Sequence, residues 1–184
     1  MRELNYKFFL HLIIIISFSS NVFSDSSKII KNLKIEKGFS IEIFAENIAT
    51  PRQIAESDSG NIFVGSRSGG TVSVIDNNKN IRVIAEGLSN STGVTYHDGD
   101  LYFSEVNSIW KISNIDEALL NSEQMPNKVL VTNNLPSDTH HGWKWIDFGP
   151  DNKLYVPVGA PCNICNPSLC LLYTSDAADE GGSG

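Results

Sequence analysis

Short hydrophobic runs separated by turn residues dominate the middle of the chain, and no long stretch has the spacing of an amphipathic helix. The runs are rich in β-branched and aromatic residues, which is typical of β-strands. The best helix candidate is short, Asp116–Gln124, with Ser113 or Asn114 in the capping position. The predicted strands are Ile41–Phe44, Asn61–Gly65, Thr71–Ile75, Ile81–Ala85, Val94–Tyr96, Leu101–Ser104, Ile109–Ile112, Trp145–Phe148 and Leu154–Val158.

One pattern occurs three times along the chain: a strand leads into a Gly/Asp turn, and a strand with an aromatic residue leaves it. The outgoing strands begin 39 and then 53 residues apart. Repeats near this length, with about four short strands each, are typical of β-propeller blades. A β-sandwich also has evenly spaced strands, but the repetition favours the propeller. The three pairs are Gln53–Ala55 with Ile62–Val64, Gly93–Thr95 with Leu101–Phe103, and Trp145–Asp147 with Leu154–Val156.

The N-terminus has the pattern of a secretory signal peptide. A positively charged start precedes an 11-residue apolar run, Phe8–Phe18, and the small residues Val22 and Ser24 fit a cleavage site. A membrane anchor is the alternative, but it needs about 20 apolar residues. We therefore expect residues 1–24 to be a signal peptide and the mature protein to be periplasmic or secreted.

The C-terminus also differs from the middle of the chain. Residues 170–184 resemble the in-frame translation of a transposase sequencing adapter that runs into Gly-Gly-Ser-Gly, and such segments lie outside a fold. A natural polar tail is the alternative. A propeller closes only with its full ring, and a few blades leave sheet edges uncovered. We expect residues 25–169 to be the first part of a longer propeller domain.

Composition limits the class of partner. The chain has 14 Lys and Arg against 21 Asp and Glu, a net charge of −7. Binding to phosphate backbones needs a basic surface, so nucleic acid is not expected as the main partner. The hydrophobic fraction of 41% suffices for a folded core.

Three segments carry a resemblance to a known family. Leu135–Cys165 contains Thr-His-His-Gly-Trp-Lys-Trp before a Gly-Pro-Asp turn, and it resembles the sorbosone/glucose dehydrogenase family. Pro51–Arg67 and Ser91–Asn107 are similar to the first two blades of that family, and the likeness covers about Leu33 to Cys165.

The resemblance implies an all-β, partial β-propeller with about the first three of six blades. It implies pyrroloquinoline quinone (PQQ) and calcium as cofactors, and a sugar or sugar-derived aldehyde or alcohol as substrate. An electron acceptor such as a cytochrome or a quinone would complete the reaction, and a chain of this length is expected to be inactive by itself.

The catalytic base of the family is a histidine eight residues before the glycine of the Gly-Pro-Asp turn, which corresponds to His141. Imidazole suits the role because its free pKa lies near neutrality. His140 would support the loop and the cofactor, because neighbouring side chains of an extended segment point to opposite faces. Arg52, beside a strand start, is the candidate for binding a quinone carboxylate. The alternative for His140 and His141 is that both are solvent-exposed loop histidines. The alternative for Arg52 is a surface ion pair.

Two other features lie near these residues. Trp143 and Trp145 alternate, so they are expected to share one face and to pack, with sugar stacking as the alternative. The triplet Asn90-Ser91-Thr92 lies where the second blade begins; it is expected either to line the site or to be a glycosylation sequon.

The region after the third repeat departs from the glucose-oxidising branch of the family. Ala160 stands where that branch has an active-site aspartate, and the following sequence is closer to the sorbosone-type branch. Cys162 and Cys165 form a C-x-x-C pair, but Asn166 replaces the histidine that c-type haem attachment needs. No second pair is present for structural zinc, so a local disulfide is the first interpretation and a free dithiol the second.

The sequence therefore predicts an exported PQQ-dependent dehydrogenase. Two other classes of protein stay open. A lactonase-type propeller hydrolase would need carboxylates that converge on a divalent metal, and Glu105 is one scattered candidate. A non-enzymatic propeller would bind a protein or a glycan, and it would tolerate the loss of the His141 imidazole.

Overall fold

The computed structural model describes residues 26–121 and 126–160. By internal contacts the chain divides into two compact units, residues 1–43 and 44–184. The predicted signal peptide, the adapter-like tail and the pair Cys162 and Cys165 lie outside the described residues. Within the described ranges, no helix is long and apolar enough to cross a lipid bilayer.

In the described part of the first unit, residues 26–43, there is one short helix, α1, Ser26–Lys31, which the sequence pattern did not predict. The strand predicted at Ile41–Phe44 is wrong for the described structure, because no described strand pairs with this segment. Its alternating pattern fits a strand, but a strand also needs a neighbour to receive its backbone hydrogen bonds. The side chains of Ile41 and Phe44 are 44% and 49% exposed.

The described part of the second unit contains two four-stranded antiparallel sheets, and each follows chain order from its first to its fourth strand. A third, two-stranded sheet begins after them. The first sheet contains β1 Pro51–Glu56, β2 Ile62–Ser66, β3 Val72–Ile75 and β4 Ile81–Ala85. The second contains β5 Val94–His97, β6 Asp100–Ser104, β7 Ile109–Ile112 and β8 Val129–Thr132. The third contains β9 Asp147–Phe148 and β10 Leu154–Tyr155.

The turns follow from their residues. Asp98 and Gly99 form the two-residue connection between β5 and β6, with φ angles of 48° and 84°. Two positive φ angles in a two-residue hairpin are the pattern that Asp-Gly favours. The predicted helix is present as α2, Ile115–Asn121, and the Ala118 amide donates to the Asn114 carbonyl.

The hydrophobic core lies between the two complete sheets, because its buried residues come from both. Phe63 of β2 and Phe103 of β6 are fully buried in one cluster with Ile115 of α2. Close approach depends on Gly65: a Cβ built there would lie 2.2 Å from the Thr92 carbonyl oxygen of the next sheet. The remaining members of the cluster are Val72, Val74, Ile84, Ala85, Leu88, Val94, Leu101 and Ile112.

Polar contacts also join the two sheets at the β1–β2 turn. Asp116 of α2 accepts hydrogen bonds from the Ser57 hydroxyl at 2.7 Å and from the Asn61 amide at 2.8 Å. Burial alone would raise the pKa of Asp116, but the hydrogen bonds from Asn61, Ser57 and Ser59 hold it below its usual value.

The first strands of successive sheets, β1, β5 and β9, lie next to one another. Each sheet therefore contributes its first strand to a common centre, as blades do. The prediction of an all-β fold is confirmed, with two complete blades and the first two strands of a third. The sequence analysis missed β8, and it made β9 and β10 longer than the structure has them.

Candidate functional site

The loops at the starts of β1, β5 and β9 and those after β2, β6 and β10 meet at one end of the sheets, which we name the top face. In an antiparallel pair the second strand ends beside the start of the first. The loop before the first strand of a sheet and the loop after its second strand therefore lie at the same end. In the first sheet Pro51 pairs with Ser66, so Arg52 and Arg67 both lie at this end.

His141 lies in a tight turn of the top face, just before β9. The Gly142 amide donates to the Thr139 carbonyl, and His141 has a φ of 55°, the left-handed region that non-glycine residues rarely adopt. A Cβ at Gly142 would lie 2.1 Å from the Asp138 carbonyl oxygen, so the turn needs glycine there. This conformation costs free energy, and such strain is typical of functional loops.

The ring of His141 is oriented by a backbone group. Its Nδ1 lies 3.1 Å from the carbonyl oxygen of Ala160, after β10. A carbonyl oxygen only accepts hydrogen bonds, so Nδ1 carries the proton in this contact and Nε2 of the neutral ring is left as an acceptor. The contact is close because Gly159 has no side chain: a Cβ there would lie 2.8 Å from the His141 Cβ.

Aromatic rings lie on two sides of His141, and an arginine from another blade extends the group. The His140 ring is exposed and its centroid lies 4.1 Å from that of His141. The Trp143 ring meets His141 edge-on at 6.1 Å. The guanidinium of Arg67, from the first sheet, lies 3.7 Å from the centroid of the Trp143 ring. The fold thus joins residues from two blades at one place.

The alternating side chains of residues 143–146, just before β9, do not bury the face that the sequence predicts. Trp143 and Trp145 share one face as predicted, but that face is exposed, by 37% and 59%. The packing expected for them is wrong for Trp145, because Lys144 and Ile146 occupy the buried face.

Lys144 is tolerated inside because its ammonium has acceptors. It donates to the carbonyls of Gly142 and Val106, and it is only 1% exposed. Burial lowers the pKa of Lys144, since the charged form loses hydration. These bonds tie the His141 turn to the loop after β6.

Arg52 lies at the start of β1 and is exposed. Among the described residues it forms no hydrogen bond, ion pair or ring contact. The next residue, Gln53, is buried on the opposite face and its amide bonds the backbone of Ile146 at 2.8 and 3.2 Å.

The triplet Asn90-Ser91-Thr92 is mostly internal. The Ser91 hydroxyl donates to the Ser66 and Thr71 carbonyls, and Ser91 and Thr92 are 0% and 4% exposed. The buried Thr92 hydroxyl has no hydrogen-bond partner within the described chain.

Among the described residues, Glu105 does not form part of a carboxylate cluster. One of its oxygens accepts from the Ser89 amide and the other from the Trp110 indole at 2.6 Å. In the ranges that the structure describes, no three His, Cys, Asp or Glu side chains are close enough to hold a metal.

Two residues of the site, Arg67 and Lys144, were not predicted. Arg67 directly follows the strand that pairs with β1, and this position was a usable signal. Lys144 stands between two tryptophans, a pattern that predicts an exposed lysine, so no local signal identified it.

No family model matches the chain. A curated protein of Borreliella burgdorferi, described as an uncharacterized protein, is 32% identical over 167 residues, which cover 86% of this chain and 44% of that protein. The chain thus spans less than half the length of this relative.

Two solved structures share the arrangement of the sheets. The first is the holo form of the PQQ domain of pyranose dehydrogenase from Coprinopsis cinerea, with 17% identity, a TM-score of 0.51, and coverage of 64% of this chain and 29% of that one. The second is a "putative oxidoreductase (glucose dehydrogenase)" from Thermus thermophilus, with 20% identity, a TM-score of 0.50, and coverage of 64% and 40%. The chain is part of a β-propeller. The β-sandwich alternative is thereby excluded, and at these identities the likeness shows the fold alone.

Proposed function

We propose that the full-length protein is an exported, PQQ-dependent dehydrogenase that oxidises a sugar or a sugar-derived aldehyde or alcohol. The observation that carries this proposal is the contact between His141 Nδ1 and the Ala160 carbonyl. It leaves Nε2 of this top-face histidine as a hydrogen-bond acceptor, and a general base requires such an acceptor.

The residues of the top face fit a planar anionic cofactor. The His141 imidazole meets the exposed indole of Trp143 edge-on, and the guanidinium of Arg67 lies over the same indole and has no carboxylate partner among the described residues. Aromatic surfaces and guanidinium groups are suited to a flat ring system that carries carboxylates. Bound PQQ would supply the two-electron acceptor for the hydride of the substrate.

The chain's own residues would move the proton and hold the geometry. His141 would take the proton of the substrate hydroxyl at Nε2, and the Ala160 carbonyl would stabilise the resulting imidazolium through Nδ1. Trp143 would restrict rotation of the ring, and Lys144 would hold the turn through Gly142. A calcium ion and an acceptor such as a cytochrome or quinone are also proposed, on the family resemblance.

The test uses the full-length gene product, expressed with export to the periplasm and reconstituted with PQQ and calcium. We expect reduction of an artificial dye with at least one aldose, polyol or sorbosone. His141→Gln should lower kcat by about 10²- to 10⁴-fold, because general-base catalysis contributes that much. His140→Gln is the matched control and should retain most of the activity.

Two results would contradict the proposal. The first is absence of dye reduction with every substrate although PQQ is bound. The second is full activity in His141→Gln, which a non-enzymatic or differently catalysed propeller would allow.

A further inference from the structure

We propose that Arg67, whose guanidinium lies over the ring of Trp143, is the residue that binds a carboxylate of the ligand beside His141. The inference rests on the proposed function only for the identity of that ligand. The two arginines of the top face are not equivalent, and the structure distinguishes them by their contacts.

Arg67 is fixed in position from two sides. Its amide donates to the Thr50 carbonyl at 3.2 Å, and its guanidinium lies 3.7 Å from the centroid of the Trp143 ring. The Ser66 hydroxyl, one residue earlier, donates to the Ala49 carbonyl at 2.7 Å and holds the end of β2. Arg67 is half-buried, whereas Arg52 is exposed and has no such contact.

A guanidinium that lies on an aromatic ring keeps its N–H groups free to donate hydrogen bonds to another partner. When an arginine lies on an aromatic ring, its N–H groups point outward in the plane of the guanidinium, where they match the two oxygens of a carboxylate. Arg67 forms no ion pair within the described residues. A charged donor that is ordered by stacking but unused by the protein is suited to an external anion.

The guanidinium of Arg67 and the candidate base His141 are linked by a shared neighbour, Trp143. Arg67 and His141 both contact the ring of Trp143, Arg67 over its face and His141 at its edge. A ligand held through a carboxylate at Arg67 therefore lies beside the indole that His141 also contacts. The carboxylate could come from two sources: the tricarboxylate cofactor PQQ, or an acidic sugar as substrate. The ligand we propose is the cofactor, since a planar ring system also fits the exposed indole.

The experiment measures binding by calorimetry with the full-length protein and two probes, PQQ and gluconate. We expect Arg67→Gln to weaken PQQ binding by about 10- to 100-fold, the loss of one charge-assisted bidentate contact. Arg52→Gln removes the same charge from the same face and should change the affinity by less than about 2-fold. Arg67→Lys should be intermediate, because lysine donates as a point charge.

The outcomes separate this inference from the proposed function. Arg67-dependent binding of PQQ supports both. Arg67-dependent binding of gluconate without any PQQ binding keeps the carboxylate site and refutes the PQQ assignment. PQQ binding that is equal in wild type and Arg67→Gln overturns the inference even if the enzyme is active. Binding of neither probe refutes both. If Arg67→Gln fails to fold, Arg67→Lys and Trp143→Phe test the same contact.

Discussion

The backbone strain at His141 makes a quantitative prediction about stability. With a φ of 55°, His141 occupies the left-handed region, which costs a residue with a Cβ roughly 1–2 kcal/mol and costs glycine nothing. We therefore expect His141→Gly to be more stable than His141→Ala by about 1 kcal/mol, after the greater freedom of glycine in the unfolded chain is subtracted. Both variants lose the bond to Ala160, so that loss cancels in the comparison.

The adjacent residue provides the matched control. His140 is not among the residues with positive φ. There the order should reverse, with His140→Gly less stable than His140→Ala by about 0.4–1 kcal/mol. The difference between the two sites should therefore be about 1.5–2 kcal/mol.

The assay is urea unfolding of the full-length protein, with the free energy of unfolding extrapolated to water and equal slopes required for the comparison. Both His141 variants should also be inactive. A glycine variant that is less stable than the alanine variant at both sites, by the same amount, would refute the left-handed conformation of His141. His141 would then carry no backbone strain, and the turn would lose this indication of a functional role.

Two further predictions concern the junction between the first two blades. Asp116→Asn should cost about 1–2 kcal/mol at pH 7. Because the pKa of Asp116 is lowered in the fold, this advantage of the wild type should be complete above pH about 4 and disappear as the pH falls below it, which urea unfolding at several pH values checks. Gly65→Ala should cost about 3 kcal/mol, since the new Cβ meets the Thr92 backbone, whereas Gly87→Ala, with no atom within 4 Å of its Cβ, should lose only about 1 kcal/mol to its positive φ. Equal thermal shifts for the two glycine variants would contradict the close approach of the blades.

Local patterns predicted most of the strands correctly because each blade is built from short segments with strong local signals. Asp98-Gly99 specifies its hairpin by itself, and Ile109–Ile112 has the same bounds in prediction and structure. The strand predicted at Ile41–Phe44 was wrong because alternation shows only that a segment can pair. Whether it does pair depends on a neighbour far away in the chain.

The candidate site was predicted only in part. His141 was identified through the family resemblance, and its ring orientation depends on Ala160, which is 19 residues away. The sequence predicts Arg52 from its position beside a strand start, and it does not show that Arg67 meets an aromatic ring from another blade. Likewise, only the close approach of Val106 explains how Lys144 is buried.

The sequence by itself determined the fold class, the blade repeat and the histidine pair, because periodicity, turn residues and motif spacing are properties of neighbouring positions. The tertiary structure decided which arginine stacks, which nitrogen of His141 accepts, and which face of the β9 start is buried. Those features arise from contacts between residues that are distant in the chain. The spacing of neighbouring residues therefore does not predict them.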